Sequence, residues 1–212
     1  MLLIAILAFS VASIAFAAKP AFAQGQTKGQ AWSTMTSLVS DAEKTFGTDP
    51  EGALAKIDDA EAIYQAEFRT AAFEVDQATG QAMDNAFADI RTAINGANQV
   101  DVMINKQWID KLTYKVAFMK IEKSLDEATS QMLRDSKVQE AAEWYTVMTT
   151  KFKYDQNPTE SSQAMADLQA DPSRVQELTP VIIDGLKSQF LLKVREEVIE
   201  VLGALEKSPP DT

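Results

Sequence analysis

The chain has 212 residues, with 20 lysines and arginines against 31 aspartates and glutamates, a net charge of −11, and neither cysteine nor histidine. Without those two residue types there is no disulfide, thiolate metal site or cysteine nucleophile, and the commonest general base and transition-metal ligand are gone. The acidic surplus repels nucleic-acid phosphates, which argues against a nucleic-acid partner.

Leu2 to Ala18 is an apolar run broken only by Ser10 and Ser13, and Lys19 is the first charge. Ala21-Phe22-Ala23 then offers the small residues of a signal-peptidase site, although no lysine or arginine precedes the run. At 17 residues the run is short for a membrane span. Residues 1–23 are therefore expected to be a signal peptide or an uncleaved N-terminal membrane anchor, and either one makes the body extracytoplasmic. Residues 24–207 are expected to form one helical domain, and 208–212 a disordered tail.

From Trp32 onward the apolar residues keep helical spacing. Trp32, Met35, Leu38, Val39, Ala42 and Phe46 form one face, with Gly47 as a stop. Asp49-Pro50-Glu51 is a start signal, an acid cap followed by proline in the first turn. The next helix carries Leu54, Ile57, Ala60, Tyr64 and Phe68, and Gly80 interrupts or weakens the segment after it. Met83, Phe87, Ile90 and Ile94 give a heptad-like seam that ends at the Asn95-Gly96 turn. A long stretch from about Asp101 to Arg134 comes next, then a face of Val138, Ala141, Tyr145, Met148 and Phe152. Asn157-Pro158 breaks the chain, a short helix spans about Ser162 to Ala170, and Asp171-Pro172 starts another. Thr179-Pro180 is a new cap or a kink. The last helix carries Ile182, Leu186, Phe190, Val194, Val198 and Leu202. No stretch alternates with period two, so the fold class is all-α, a bundle of about six to eight helices.

The candidate chemistry is sparse. A dinuclear carboxylate site of the ferritin type needs histidine and cannot be built. Glu-x-x-Glu pairs remain, at Glu140/Glu143 and at Glu197/Glu200 with Glu196 alongside. Residues three apart share a helix face, so Glu196, Glu197 and Glu200 are the candidate ligands for a hard cation. Asp58, Asp59 and Glu61 lack the pattern of a calcium loop and read as a solvated face. Lys106 to Lys123 is the basic exception in an acidic chain. It is a candidate for meeting an acidic partner, or for pairing with acids of neighbouring helices. Adjacent helix residues diverge by about 100°, so Trp144 and Tyr145 are not expected to face one core together. Lys106, Trp108, Lys111, Lys115, Trp144 and Tyr145 are accordingly the candidate partner-binding residues. No nucleophile motif, glycine-rich phosphate loop or cofactor fingerprint is present, so neither an enzyme nor a bound cofactor is expected.

Asp84 to Ile94 (Asp-Asn-Ala-Phe-Ala-Asp-Ile-Arg-Thr-Ala-Ile), the alanine-rich helix before Tyr64 and Phe68, and Lys193 to Glu200 (Lys-Val-Arg-Glu-Glu-Val-Ile-Glu) carry a resemblance. Together they are similar to the extracytoplasmic helical region that precedes the membrane helices in oxidase-coupled iron permeases. That family's Arg-Glu-Gly-x-Glu motif is not matched, because Arg195-Glu196-Glu197 is followed by Val198. The resemblance implies a helical module of an uptake or membrane system, able to touch cations through its acids, and not permease activity. The expected function is an exported, non-catalytic accessory subunit of a membrane protein complex. The alternative is an extracytoplasmic cation- or ligand-binding protein of an uptake system.

Overall fold

The computed structural model describes residues 26–151 and 159–207. The leader and tail expectations therefore lie outside the described residues. Among those described there is no strand. There are eight α-helices: α1 (Lys28–Thr45), α2 (Pro50–Glu67), α3 (Arg69–Val75), α4 (Gln77–Asn95), α5 (Gln99–Glu127), α6 (Arg134–Lys151), α7 (Thr159–Ala170) and α8 (Val175–Lys207), with a 3-10 turn at Pro172–Arg174. No helix among them is long and apolar enough to cross a membrane.

Most starts are written locally. The Thr27 hydroxyl accepts from the Gln30 amide while the Gln30 side chain accepts from the Thr27 amide, a reciprocal capping box that opens α1. Asp49 caps α2 through the Gly52 amide at 2.9 Å, with Pro50 in the first turn. Asp76 caps α4 through the Thr79 amide at 2.8 Å, and Asn98 caps α5. α4 ends in a Schellman-type turn, in which the Asn98 amide donates to Ala93 and the Ala97 amide to Ile94. Ala97 there takes φ = 50°, the left-handed region usually left to glycine.

At two positions the structure decides between alternatives that the sequence leaves open. Gly80 does not interrupt anything, since it sits in the first turns of α4, and the chain breaks instead at Phe68 and Asp76. Glycine is needed at position 80 for packing: a Cβ would lie 2.4 Å from the Phe73 ring. Thr179-Pro180 does not start a helix. Pro180 lies inside α8, where it has no amide for the Gln176 carbonyl.

α1 packs between α2 and α6, α5 between α4 and α6, and α7 forms a hairpin with α8. A single buried cluster runs through all of them, so the Asn95-Gly96 turn joins parts of one core. Tyr64 stacks on Phe87 with ring centres 5.2 Å apart, and Phe68 meets Trp144 edge-on at 6.0 Å. Trp32 lies against Tyr114, and Phe190 of α8 packs edge-on against both Tyr114 and Phe118 of α5. The last contact holds the middle of α8 on the bundle. Gly29 lets α1 approach α6 closely: its amide donates to the Thr146 hydroxyl at 2.8 Å, and a Cβ would lie 2.4 Å from the Thr146 carbonyl oxygen.

Candidate functional site

The basic stretch of α5 is consumed by the fold. Lys106 pairs with Glu43 of α1, and Lys111 with Glu197 of α8. Lys115 reaches Asp76 and the Thr79 hydroxyl, both at 2.7 Å. Its hydrogen bond, joined by the two bonds from Thr79, holds the Asp76 carboxyl well below the usual carboxylate range. Lys120 is only 8% exposed and lies between Glu74 at 3.0 Å and Glu140 at 2.9 Å. Burial pulls its pKa down, but the two carboxylates outweigh it and the ammonium is held charged. The lysines thus tie α5 to α1, α3, α4, α6 and α8. Asp58 and Glu61, read as a solvated face, both receive Arg91 of α4.

Trp144 and Tyr145 are both buried, at 2% and 5% exposure, yet they do not face one core together. The reason is that α6 has neighbours on two sides. Trp144 meets Phe68 and the Lys28 ammonium, which sits 4.8 Å above its ring. Tyr145 faces α7, its hydroxyl 2.9 Å from Ser161 and 3.2 Å from Ser162. Of the six candidate partner residues, Trp108 alone presents a large apolar surface, 53% exposed.

The acidic candidates do not gather. Glu197 is taken by Lys111, Glu196 lies 3.5 Å from Lys193, and the Glu200 side chain lies outside the described residues. In the other pair Glu140 is held by Lys120 and Lys137, while Glu143 is exposed. No group of three or more acidic side chains placed to hold a metal occurs among the described residues.

A different set of acids shares a cleft. A hollow of about 440 Å³ between α5 and α8 is lined by Glu122 and Asp126, one turn apart on α5, and by Asp184 on α8. Gln176, Thr179, Pro180 and Lys187 also line it. None of these three carboxylates has an ion-pair partner among the described residues. The Thr179 hydroxyl oxygen is buried with no hydrogen-bond partner, next to the Gln176 carbonyl that Pro180 cannot serve. The cleft is thus lined by hard oxygen donors; its three carboxylates are not grouped to ligate one ion directly, so it suits a cation that keeps its water shell. A larger hollow of about 750 Å³ lies where α1, α6 and α7 meet, with Lys28, Glu67, Glu143 and Tyr145 on its walls. Sequence reasoning missed the α5–α8 group because its members come from two helices some sixty residues apart. The spacing of Glu122 and Asp126 was its one local trace.

A family model described as the iron permease FTR1 N-terminal domain matches residues 26–211. The chain belongs to that family. The iron permease N-terminal domain match thus extends the resemblance seen in the segments around Ala53–Ile94 and Lys193–Glu200 to almost the whole chain. No curated protein and no solved structure matches the chain significantly.

Proposed function

We propose that this protein is a non-catalytic, extracytoplasmic helical component of an iron-uptake system, and that it meets the cation through carboxylate and carbonyl oxygens. The family match over residues 26–211 carries this reading. It favours the uptake-system alternative over a purely structural accessory role. Three physical features support it. A net charge of −11 draws cations by long-range attraction. Carboxylates are hard donors that suit ferric iron without histidine or cysteine. The α5–α8 cleft holds Glu122, Asp126 and Asp184 outside any ion pair among the described residues, although Lys187 also lines it, so a cation entering it displaces no ion pair. At Glu197 it would have to displace Lys111. An apolar leader, as signal or anchor, fits a body at the outer face of a membrane beside a membrane-bound partner.

The test is thermal unfolding of the purified protein with ferric citrate or ferrous iron, calcium and manganese. A ligand at about 100 times its dissociation constant adds about 2.7 kcal/mol, which in a chain of this size raises Tm by roughly 5–10 °C. The triple variant Glu122→Gln, Asp126→Asn, Asp184→Asn is expected to keep its fold and lose the iron-dependent rise. An unchanged Tm with both iron species refutes cation binding. A rise that survives in the triple variant moves the contact away from the cleft.

A further inference from the structure

The hollow of about 750 Å³ where α1, α6 and α7 meet shares no lining residue with the α5–α8 cleft, so a reading of it does not rest on the cation. Its size lies within the range of small-molecule sites, about 300–1,000 Å³. Among the described residues its one basic side chain is committed: the Lys28 ammonium lies 3.6 Å from the Glu67 carboxylate and 4.8 Å above the Trp144 ring. Its hydroxyls are committed as well. Tyr145 is bonded to Ser161 and Ser162, Thr146 accepts from the Gly29 amide, and Thr149 donates to the Tyr145 carbonyl at 3.3 Å. Three polar side chains are left over. Gln139 and Glu143, one turn apart on α6, and Gln169 on α7 are exposed and line the hollow, and their side chains make no hydrogen bond or ion pair among the described residues. Apolar groups line the same hollow: Ala142 and Met165, both buried, and the exposed Ala166. Met165, Ala166 and Gln169 are spaced to share one face of α7.

We propose that this hollow binds an uncharged polyhydroxylated ligand, a saccharide of one or two rings. Each free amide offers both donors and an acceptor, and the Glu143 carboxylate offers acceptors alone. A hydroxyl donates and accepts, so the hydroxyls of a sugar answer both kinds of group. The C–H face of the same ring sheds water against Met165 and the two alanines, the mixture of apolar wall and a few polar groups that small-molecule sites use. Charged ligands fit less well. An anion meets the Glu143 carboxylate with no uncommitted base to offset it. A polyamine finds one free carboxylate, because Glu67 is already held by Lys28. A purely apolar ligand would strip water from the two amides and the carboxylate without replacing their hydrogen bonds. A free sugar and the end of a glycan chain present the same chemistry to these residues.

The experiment is proton–nitrogen correlation NMR of the purified protein, in which glutamine side-chain amides are observed directly. Maltose, cellobiose and N,N′-diacetylchitobiose are titrated from about 1 to 50 mM, the range in which a millimolar site saturates, with citrate and spermidine as charged controls. Saturable shifts of the Gln139 and Gln169 amides are expected with at least one of the three sugars. In the double variant Gln139→Ala, Gln169→Ala the affinity of that sugar is expected to fall roughly tenfold or more. Ala166→Trp, at an exposed position, fills the hollow and is expected to abolish the response while keeping the helical spectrum of the wild type. The hexasaccharide of the responding sugar reads the source: a gain of roughly tenfold over the disaccharide assigns a glycan chain, and equal affinity assigns a free sugar. No saturable shift with any of the three sugars overturns the proposal, as does a response that both variants leave intact. Saturation by citrate or spermidine without any by the sugars overturns it in favour of a charged ligand.

Discussion

Asp84 is the hub of a small buried network, and removing it tests how the α2–α4 contact is held. The Tyr64 hydroxyl, on a fully buried side chain, donates to Asp84 Oδ1 at 2.9 Å, and its other acceptor is the Gly80 carbonyl at 3.4 Å. Arg69 grips the same carboxylate with two bonds, Nε to Oδ1 at 3.0 Å and Nη2 to Oδ2 at 2.7 Å. The Arg69 bond holds the Asp84 carboxyl below its usual range against the effect of burial, and Tyr64 adds to it, while burial and the Asp84 bond push the Tyr64 phenol well up. In Asp84→Ala the phenol loses a charged acceptor, worth about 1.5–3 kcal/mol, while Arg69, 47% exposed, turns back to water. The expected loss is about 2–3 kcal/mol, a fall in Tm of roughly 4–12 °C for a chain of this length. Tyr64→Phe alone is expected to cost about 1–2 kcal/mol. The double variant should be little worse than D84A, giving a coupling of about 1 kcal/mol in a double-mutant cycle read by urea unfolding. Because the folded carboxyl is depressed, its contribution is fully present above the unfolded value of about 4 and fades as pH falls through the folded one. The gap between wild type and D84A should therefore narrow below about pH 4. Additive single losses, or a gap that persists in acid, would refute the network.

Three further expectations rest on the packing. Gly29→Ala should destabilise by about 1–3 kcal/mol despite the better helix former, because its Cβ meets the α6 backbone; chemical denaturation measures it. Ala97→Gly should stabilise by about 0.5–1 kcal/mol, since φ = 50° strains an L-residue there, and a lower urea midpoint would refute that. Glu140→Gln should cost about 1 kcal/mol at pH 7. Burial pushes the Glu140 carboxyl up, but the hydrogen bonds from Lys137 and Lys120 outweigh it and hold it below the usual range. The effect is accordingly expected above about pH 4.5 and should vanish in acid, which unfolding midpoints at pH 3 and pH 7 would check.

The helices were legible because their signals are local. Asp49 caps α2 where the Asp49-Pro50 start signal expects it, and the Met83–Ile94 seam is buried as its spacing implies. Asp76 was missed as a cap because nothing apolar comes directly after it, and Gly80 drew attention that belonged to the Phe73 ring beside it. Trp144 and Tyr145 diverge as expected, but what each one meets was not legible, because a sequence shows one helix at a time and α6 has neighbours on two faces. The α5–α8 cleft was invisible for the same reason, since its acids meet only once the chain has turned back on itself. The lysines of α5 were legible as an anomaly but not as its resolution: their partners lie on five other helices.

The cross-helix ion pairs also bear on how the molecule responds to protons. Each resolved shift drives its group away from neutral pH: Asp76, Asp84, Glu127, Glu140, Asp171 and Glu177 downward, Lys120, Lys137, the arginines and Tyr64 upward. The chain also lacks histidine and cysteine, the side chains whose ordinary ranges lie nearest pH 7. Its ion-paired scaffold is therefore proton-silent across the neutral range. As the medium drifts around neutrality, the groups so shifted keep their charge and the struts they form keep their strength.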